Sequence, residues 1–438
     1  MTITTLLPRM KPLASRKSAI LSVLDIGTSK VVCLVARLQP VASSEMLRGR
    51  THQCRILGIG HQRSRGLKGG VIIDMVEAEN AIRQAVDAAE RMAGVQVEGV
   101  IVNATGGRLS SQLFHAQTEL PKRAVSDADL QRVLHAATAY SDQPGRSVLH
   151  SLPSGFSLDE ARDIRDPKGM IGEKLGADLN VVTSDSVAMR NLMLAVERCH
   201  LRIEAIVATP YAAGLSVLVD DEAELGTALI DMGAGTTSIG LFRHGHLMHV
   251  DAVAVGGNHV TMDIARGLNT RIVDAERLKT LYGSAISAPS DERESIAVTQ
   301  VGEDSQEANH LPRAQLTRII NPRVEEILEL VRDRLKKAHF SAEAGGRIVL
   351  TGGASQLTGM GEIARRVLSP QIRIGRPLGI QGLPESAKSP AFSAALGLMI
   401  YPQVAGIEHF EARRGGDFAA TGTDGYMSRV GRWLKESF

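Results

Sequence analysis

A chain of 438 residues with 43% hydrophobic content has the make-up of an ordinary globular protein, and its length favours two or more domains over a single core. A formal net charge of +2 and only 3% aromatic residues argue against a nucleic-acid binder, since neither a cationic surplus nor a stacking platform is present. Three cysteines (Cys33, Cys54 and Cys199) without a short Cys-x-x-Cys spacing argue against a disulfide framework or a zinc site and suit reducing cytosol.

Residues 1–18 carry Arg9, Lys11, Arg16 and Lys17 and lack the apolar segment of a signal peptide, so a disordered basic tail is expected. No run approaches the roughly 18 apolar residues of a spanning helix, so any membrane contact should be peripheral. Leu21 to Val35 then reads as a β-hairpin: an apolar run ends in Asp25, passes Gly27, Thr28 and Ser29, and becomes apolar again. Residues 37–53 look irregular, Cys54 to Gly60 reads as a strand, and Gly66 to Asp74 as a loop with a short strand. Met75 to Met92 follows with apolar residues at helical spacing, closed by Gly94.

From Val95 to about Leu179 the pattern changes. Val100 to Val102 and Gly106-Gly107 suggest a strand and turn. Ser126 caps a predicted helix through Ala139, and short strands are expected at Val148–Leu152 and Leu179–Thr183. This stretch reads as an insertion with its own small core. Beyond it come a helix over Ser186–Cys199, a strand over Ile203–Val207, and a helix opened by Pro210. Asp220 to Glu224 looks like a solvated acidic loop.

Thr227 to Phe242 is the central stretch: an apolar run into Asp231, then Gly233, Gly235, Thr236, Thr237 and Ser238, then a second apolar run. A hairpin tip this small can hold phosphate, because glycines admit an anion close to the backbone, N–H groups point into the turn, and hydroxyls add donors without bulk. Asp231 stands where a carboxylate could hold a hydrated Mg²⁺ against those phosphates. The first hairpin repeats this order with Asp25 and Gly27, and Arg347 to Leu357 places Gly352 and Gly353 directly after another strand-like run. Two acidic hairpins and a Gly-Gly loop suit one nucleotide held between two similar lobes. The pattern contains neither a P-loop nor the dinucleotide fingerprint. His244, His246 and His249 have no acidic or cysteine neighbour in sequence and read as solvent-facing.

Helices are expected over Asn258–Arg266, Val273–Leu281, Gln315–Lys337, Met360–Leu368 and Pro390–Ile400. Residues 403–424 have the composition of a linker. In the last stretch, taken as a helix, Met427, Val430, Leu434 and Phe438 share a stripe beside Tyr426 and Trp433, with Arg429, Arg432 and Lys435 on the flanks and the opposite side. Trp, Tyr and a surplus of cations favour an anionic membrane interface. One helix this short binds weakly, so avidity from self-assembly is a physical expectation.

The stretches around Asp25, Asp231 and Leu350-Thr-Gly-Gly-Ala-Ser-Gln-Leu357 resemble the two phosphate hairpins and the adenosine loop of the actin, Hsp70 and sugar-kinase superfamily. Within it, Val196-Glu-Arg-Cys, Tyr211 to Leu218, Asn321-Pro-Arg323, Arg373-Ile-Gly-Arg-Pro377 and the terminal Trp-Leu-Lys-Glu-Ser-Phe resemble the FtsA family of bacterial cell-division proteins. The resemblance implies an α/β, actin-like, two-lobed ATPase fold with one small subdomain relocated as an insertion. By that mapping 19–94 and 180–226 form the first-lobe core and 95–179 the insertion. Residues 227–270 and 346–402 form the second-lobe core, 271–345 its small subdomain, and 425–438 a membrane-targeting helix.

It further implies ATP with Mg²⁺, a slow ATPase at most, and polymerisation on anionic lipid at the cytoplasmic face of the inner membrane at the division septum. Partners implied are the C-terminal tail of the tubulin-like protein FtsZ, met near Arg323, and later division proteins met by the insertion. By position, Gly27, Thr28, Ser29, Gly233, Gly235, Thr236 and Thr237 meet phosphate, and Asp25 and Asp231 orient Mg²⁺ through water. Glu276 and Lys279 reach ribose or adenine, and Gly352 and Gly353 lie against the adenosine. One departure bears on rate: strong ATPases of the superfamily orient the attacking water with Gln or Glu near the helix that begins here at Pro210, where this chain has Thr209. Of the alternatives, a chaperone needs a peptide-binding domain larger than the 39 residues after Met399, and a kinase has no use for an amphipathic terminus. A pilus-assembly relative would share the hairpins without that terminus.

Overall fold

The computed structural model describes residues 7–10, 13–14, 16–41, 50–106, 108–138, 143–302, 309–340 and 346–409. The terminal-helix residues Met427, Arg429, Val430, Arg432, Trp433, Leu434, Lys435 and Phe438 lie outside them.

The chain opens with β1 (Ala19–Ile26), β2 (Lys30–Pro40) and β3 (His52–Arg63), an antiparallel meander, followed by the small hairpin β4 (Leu67–Lys68) and β5 (Val71–Ile72). Helix α1 (Met75–Ala93) starts where the Asp74 carboxylate accepts from Glu77 N–H and stops at Gly94, whose φ of 67° is the left-handed cap that glycine adopts without strain. Strand β6 (Gly99–Ala104) then runs parallel to β1. The insertion holds β7 (Ser110–Glu119), α2 (Asp127–Thr138), β8 (Arg146–Leu158), β9 (Ala161–Ile164) and β10 (Lys174–Asp185). The chain returns through α3 (Ser186–Glu197), β11 (Arg202–Ala208), α4 (Thr209–Val217) and α5 (Asp220–Leu225).

The second half repeats the opening. A meander of β12 (Thr227–Met232), β13 (Thr237–Arg243) and β14 (His246–Val253) leads to α6 (Gly257–Gly267), α7 (Ile272–Tyr282), β15 (Ser295–Val298), β16 (Asn309–Pro312) and the long helix α8 (Arg313–Lys337). Then come β17 (Arg347–Thr351), α9 (Met360–Val367), β18 (Ile372–Ile374), β19 (Ile380–Gln381) and α10 (Ser393–Val404). Two sheets with orders β11-β6-β1-β2-β3-β19 and β14-β13-β12-β17-β18 result, while the insertion forms its own sheet, β7-β10-β8-β9. Read from β11 and from β18, both large sheets give two parallel strands followed by an antiparallel meander, and the first adds β19 in parallel beside β3.

The buried apolar residues gather into three cores. The first holds Leu24, Leu34, Ile82, Ile101 and Leu396, and also takes Leu229, Phe242 and Val349 from the second large sheet. Another gathers Ile230, Ile239, Ile264 and Leu328, and the insertion contributes Leu175, Leu179 and Val133. Helices α4 and α10 pack so closely that a Cβ on Gly397 would stand 1.7 Å from the Ala212 carbonyl oxygen.

Several expectations change. β6 falls inside the stretch read as insertion, yet its apolar residues pair with β1 and β11 in the first-lobe sheet. Strands β8 and β10 are longer than expected, and β7, over which no strand was expected, is an edge strand with mostly exposed side chains. The acidic stretch at Asp220 is a helix: Arg373 clamps the Glu222 carboxylate with two 2.6 Å bonds, so this charge is buried rather than solvated. The stretch read as linker is packed as far as His409. Gln403 accepts from Thr51 and His52 N–H, and the buried Glu408 carboxylate lies 2.9 Å from His150 Nδ1. Pro390–Ile407 does reach 18 residues, at a mean hydropathy of 1.3, and with 72% of it buried it is a core element of this fold.

Candidate functional site

Both hairpin tips close in the same way. Gly27 N–H donates to the Lys30 carbonyl and Gly233 N–H to the Thr236 carbonyl, each at 2.9 Å, so Gly27-Thr28-Ser29-Lys30 and Gly233-Ala234-Gly235-Thr236 are equivalent loops. The strands behind them pair Asp25 with Val32 and Asp231 with Ser238, placing the two aspartates at matching positions. The tips meet: Thr28 Oγ1 accepts from Gly70 N–H at 3.0 Å, and a Cβ on Gly235 would lie 2.6 Å from that hydroxyl. Gly352 follows β17, which runs parallel to β12, and has a φ of 86°. A Cβ there would stand 2.3 Å from Asp231 Oδ1, so only glycine fits.

Between the tips, α6, α7, α8 and the loop after β17 lies a cavity of about 460 Å³, well within the range of small-molecule sites. It is lined by Asp25, Gly27, Thr28, Ser29, Asp231, Gly233, Gly235, Thr236, Glu276, Lys279, Gly352 and Gly353, which are all but one of the residues assigned to phosphate, metal or adenosine. The exception is Thr237. It follows the four-residue loop, pairs with Met232 as the first residue of β13, and donates its hydroxyl to the Val255 carbonyl at 2.8 Å. Thr237 is therefore corrected to a strut behind the tip, the same place that Val31 holds in the first hairpin.

The electrostatics centre on the paired carboxylates. Burial pushes Asp25 up to about 6, against the pull of nearby Lys30. Burial, reinforced by the Asp25 charge, pushes Asp231 up to about 7. Lys30 Nζ donates to the Ala391 carbonyl at 2.5 Å and stands 4.0 Å from the Phe392 ring centroid. Its burial lowers its pKa, opposed by both aspartates. At the far end, Lys279 Nζ reaches Glu276 at 2.7 Å, Thr261 Oγ1 at 2.8 Å and the Gly257 carbonyl at 3.1 Å, which holds the Glu276–Lys279 pair on the cavity wall.

Three contributors escaped the sequence reading: Lys30, Thr105 and Asn103. The first two line the cavity, and buried Asn103 stands behind it, donating to Asp25 Oδ1 at 2.6 Å. A signal existed, since Asn103 ends an apolar run as Asp25 and Asp231 do. Arg323 stands apart on α8, absent from the cavity wall, with its guanidinium 2.5 Å from Asp263 and also paired with Glu326. His249 lies against Ser111 of the insertion and is half-buried rather than solvent-facing. Among the described residues no cluster of three or more His, Cys, Asp or Glu side chains suited to direct metal ligation occurs.

The fold recurs in solved structures. A PilM–PilN type IV pilus biogenesis complex covers 87% of this chain and 98% of its own at 17% identity with a TM-score of 0.59. MreB5 of Spiroplasma citri bound to ADP covers 89% and 97% at 14% identity with a TM-score of 0.52. At these identities the likeness establishes the actin-like fold alone. The family model described as cell division protein FtsA matches residues 228–397, and that of the SHS2 domain inserted in FtsA matches 106–183. Curated proteins named cell division protein FtsA are 56% identical in Agrobacterium fabrum, over 99% of this chain and 98% of theirs, and 31% identical in Escherichia coli K12, over 95% and 97%. Motifs, fold and near full-length identity converge: this chain belongs to the FtsA family of bacterial cell division proteins.

Proposed function

We propose that the cavity binds ATP with a hydrated Mg²⁺, and that the chain polymerises on the cytoplasmic face of the inner membrane, tethers FtsZ filaments there and recruits later division proteins through its insertion. The observation that carries the nucleotide reading is the convergence of two glycine tips, two buried carboxylates and a Gly-Gly loop on one cavity. MreB5 of Spiroplasma citri, which shares the fold, is known bound to ADP and bound to AMPPNP, which supports the same ligand class. The Gly27 and Gly233 N–H groups close the loops, so phosphate would meet the other backbone N–H groups of the tips. The residues also fit the cation: two buried carboxylates face a single lysine, leaving negative charge for a hydrated metal to balance. Mg²⁺, when bound, neutralises phosphate charge. Glu276 and Lys279 would face ribose or adenine, and Gly352 and Gly353 the adenosine.

Hydrolysis should be slow. Thr209 Oγ1 is engaged with the Ala104 carbonyl at 3.0 Å and offers no carboxylate or amide to orient a water. Turnover below about 1 per second is expected, and a kinase-like rate would refute this point. FtsZ's tail is proposed to meet α8 near Arg323, where an acidic segment would compete with Asp263 for the guanidinium. Membrane attachment rests on the terminal residues Met427 to Phe438 and on avidity. Co-sedimentation with anionic vesicles tests the tether: the full chain should pellet, more strongly with ATP, and a version ending at Asp424 should not. Equal pelleting of both would remove the reading.

A further inference from the structure

Behind the cavity wall, Asn103 joins three elements. Its Oδ1 accepts from Ile26 N–H at 2.7 Å, and its Nδ2 lies 2.6 Å from Asp25 Oδ1, 2.9 Å from Thr105 Oγ1 and 3.3 Å from Thr209 Oγ1. The bond from Ile26 fixes the amide orientation, because a flipped amide would set its NH₂ against a backbone N–H. The remaining hydrogens can then be assigned. Thr209 donates to the Ala104 carbonyl at 3.0 Å, so in the 2.8 Å contact between the two hydroxyls Thr105 is the donor. Every hydrogen of this corner is therefore spent inside the wall. Asp25 and Thr105 line the cavity and present it with lone pairs only, while both lone pairs of Thr209 Oγ1 are taken by Asn103 and Thr105.

We propose that Asn103 is a positioning residue that, with Thr209 behind it, makes the Asp25–Thr105 corner an acceptor-only surface, suited to the donor waters around a divalent cation and unsuited to phosphate oxygens. The glycine tips of both hairpins line the same cavity, and turns of this kind present backbone donors. This polarity sorts the two halves of a metal–nucleotide complex, anion to the tips and hydrated cation to the corner. The inference rests on the nucleotide reading above and deepens it. Partners that orient a metal's surroundings without touching it typically contribute 10–100-fold in metal affinity.

The test is the Mg²⁺ dependence of binding, read as the ratio of the Kd of a fluorescent ATP analogue in EDTA to its Kd in Mg²⁺. Full-length Asn103→Leu and Thr105→Val should lower that ratio about tenfold. Affinity in EDTA should stay within about twofold, since the donor tips are untouched, and Thr105→Ser, which keeps the hydroxyl, should restore the ratio. An unchanged ratio in Thr105→Val, with its thermal midpoint retained, overturns the proposal even where Asn103→Leu fails to fold. Absence of analogue binding to the unaltered protein would instead remove the nucleotide reading itself, and this inference with it.

Discussion

Asp25 and Asp231 show most clearly what burial does to a side chain. Both are pushed above the ordinary value of 3.8, to about 6 and about 7. A carboxyl raised on folding favours the folded state fully below its unfolded pKa and loses that contribution as pH rises through the folded value. Asp231→Asn should therefore leave stability near pH 3.8 unchanged and stabilise the nucleotide-free protein increasingly up to pH 7 and beyond, on the order of a few kcal/mol. The same change should abolish Mg²⁺-dependent nucleotide binding. Thermal unfolding across pH 4 to 8 checks the first, and a decline in the variant's relative stability with rising pH would refute it. Gly352→Ala adds a Cβ beside Asp231 Oδ1 at a φ of 86° and should cost about 1–3 kcal/mol in denaturant unfolding. Gly352 and the two aspartates were legible because each closes an apolar run. Lys30 was hidden in plain view, since nothing in its neighbours reveals that its ammonium lies under Phe392 and Ala391, more than three hundred residues away.

At the level of elements, hairpins follow from local pattern, whereas the character of a short polar segment depends on its distant partner. The Asp220–Leu225 helix is the clearest case. Burial alone would raise the Glu222 carboxyl, yet its bonds from Arg373 outweigh this and hold it below the ordinary range. Arg373→Ala strands a charge whose side chain is 7% exposed and should cost about 2 kcal/mol, less than a fully buried pair because Arg373 itself is partly exposed. Chemical denaturation measures it. The segment after α10 depends likewise on the Glu408–His150 contact, in which Ala208 N–H donates to the imidazole Nε2 at 2.9 Å, leaving Nδ1 to donate to the carboxylate. Glu408→Ala should loosen residues 405–409 by about 1–3 kcal/mol and hasten their cleavage in limited proteolysis. Unchanged cleavage would count against the anchor.

For the whole molecule, two sheets of matching strand order face each other across one cavity, and any ligand held by both tips stabilises their closed arrangement. ATP at about one hundred times its Kd should add about 2.7 kcal/mol to stability, a gain that Asp25→Ala should lose. A thermal shift identical in both proteins would refute the shared clasp. The sequence by itself determined the paired acidic hairpins, the glycine loop, the long amphipathic helix and the presence of an insertion, because each is written in local apolar periodicity and in residues with few conformational options. Only the tertiary structure decided that β6 belongs to the first sheet, that Thr237 turns away from the cavity, that Glu222 is buried, and that Asn103 sets the polarity of the corner beside Asp25. Those outcomes depend on contacts between residues far apart in the chain, which no local pattern encodes.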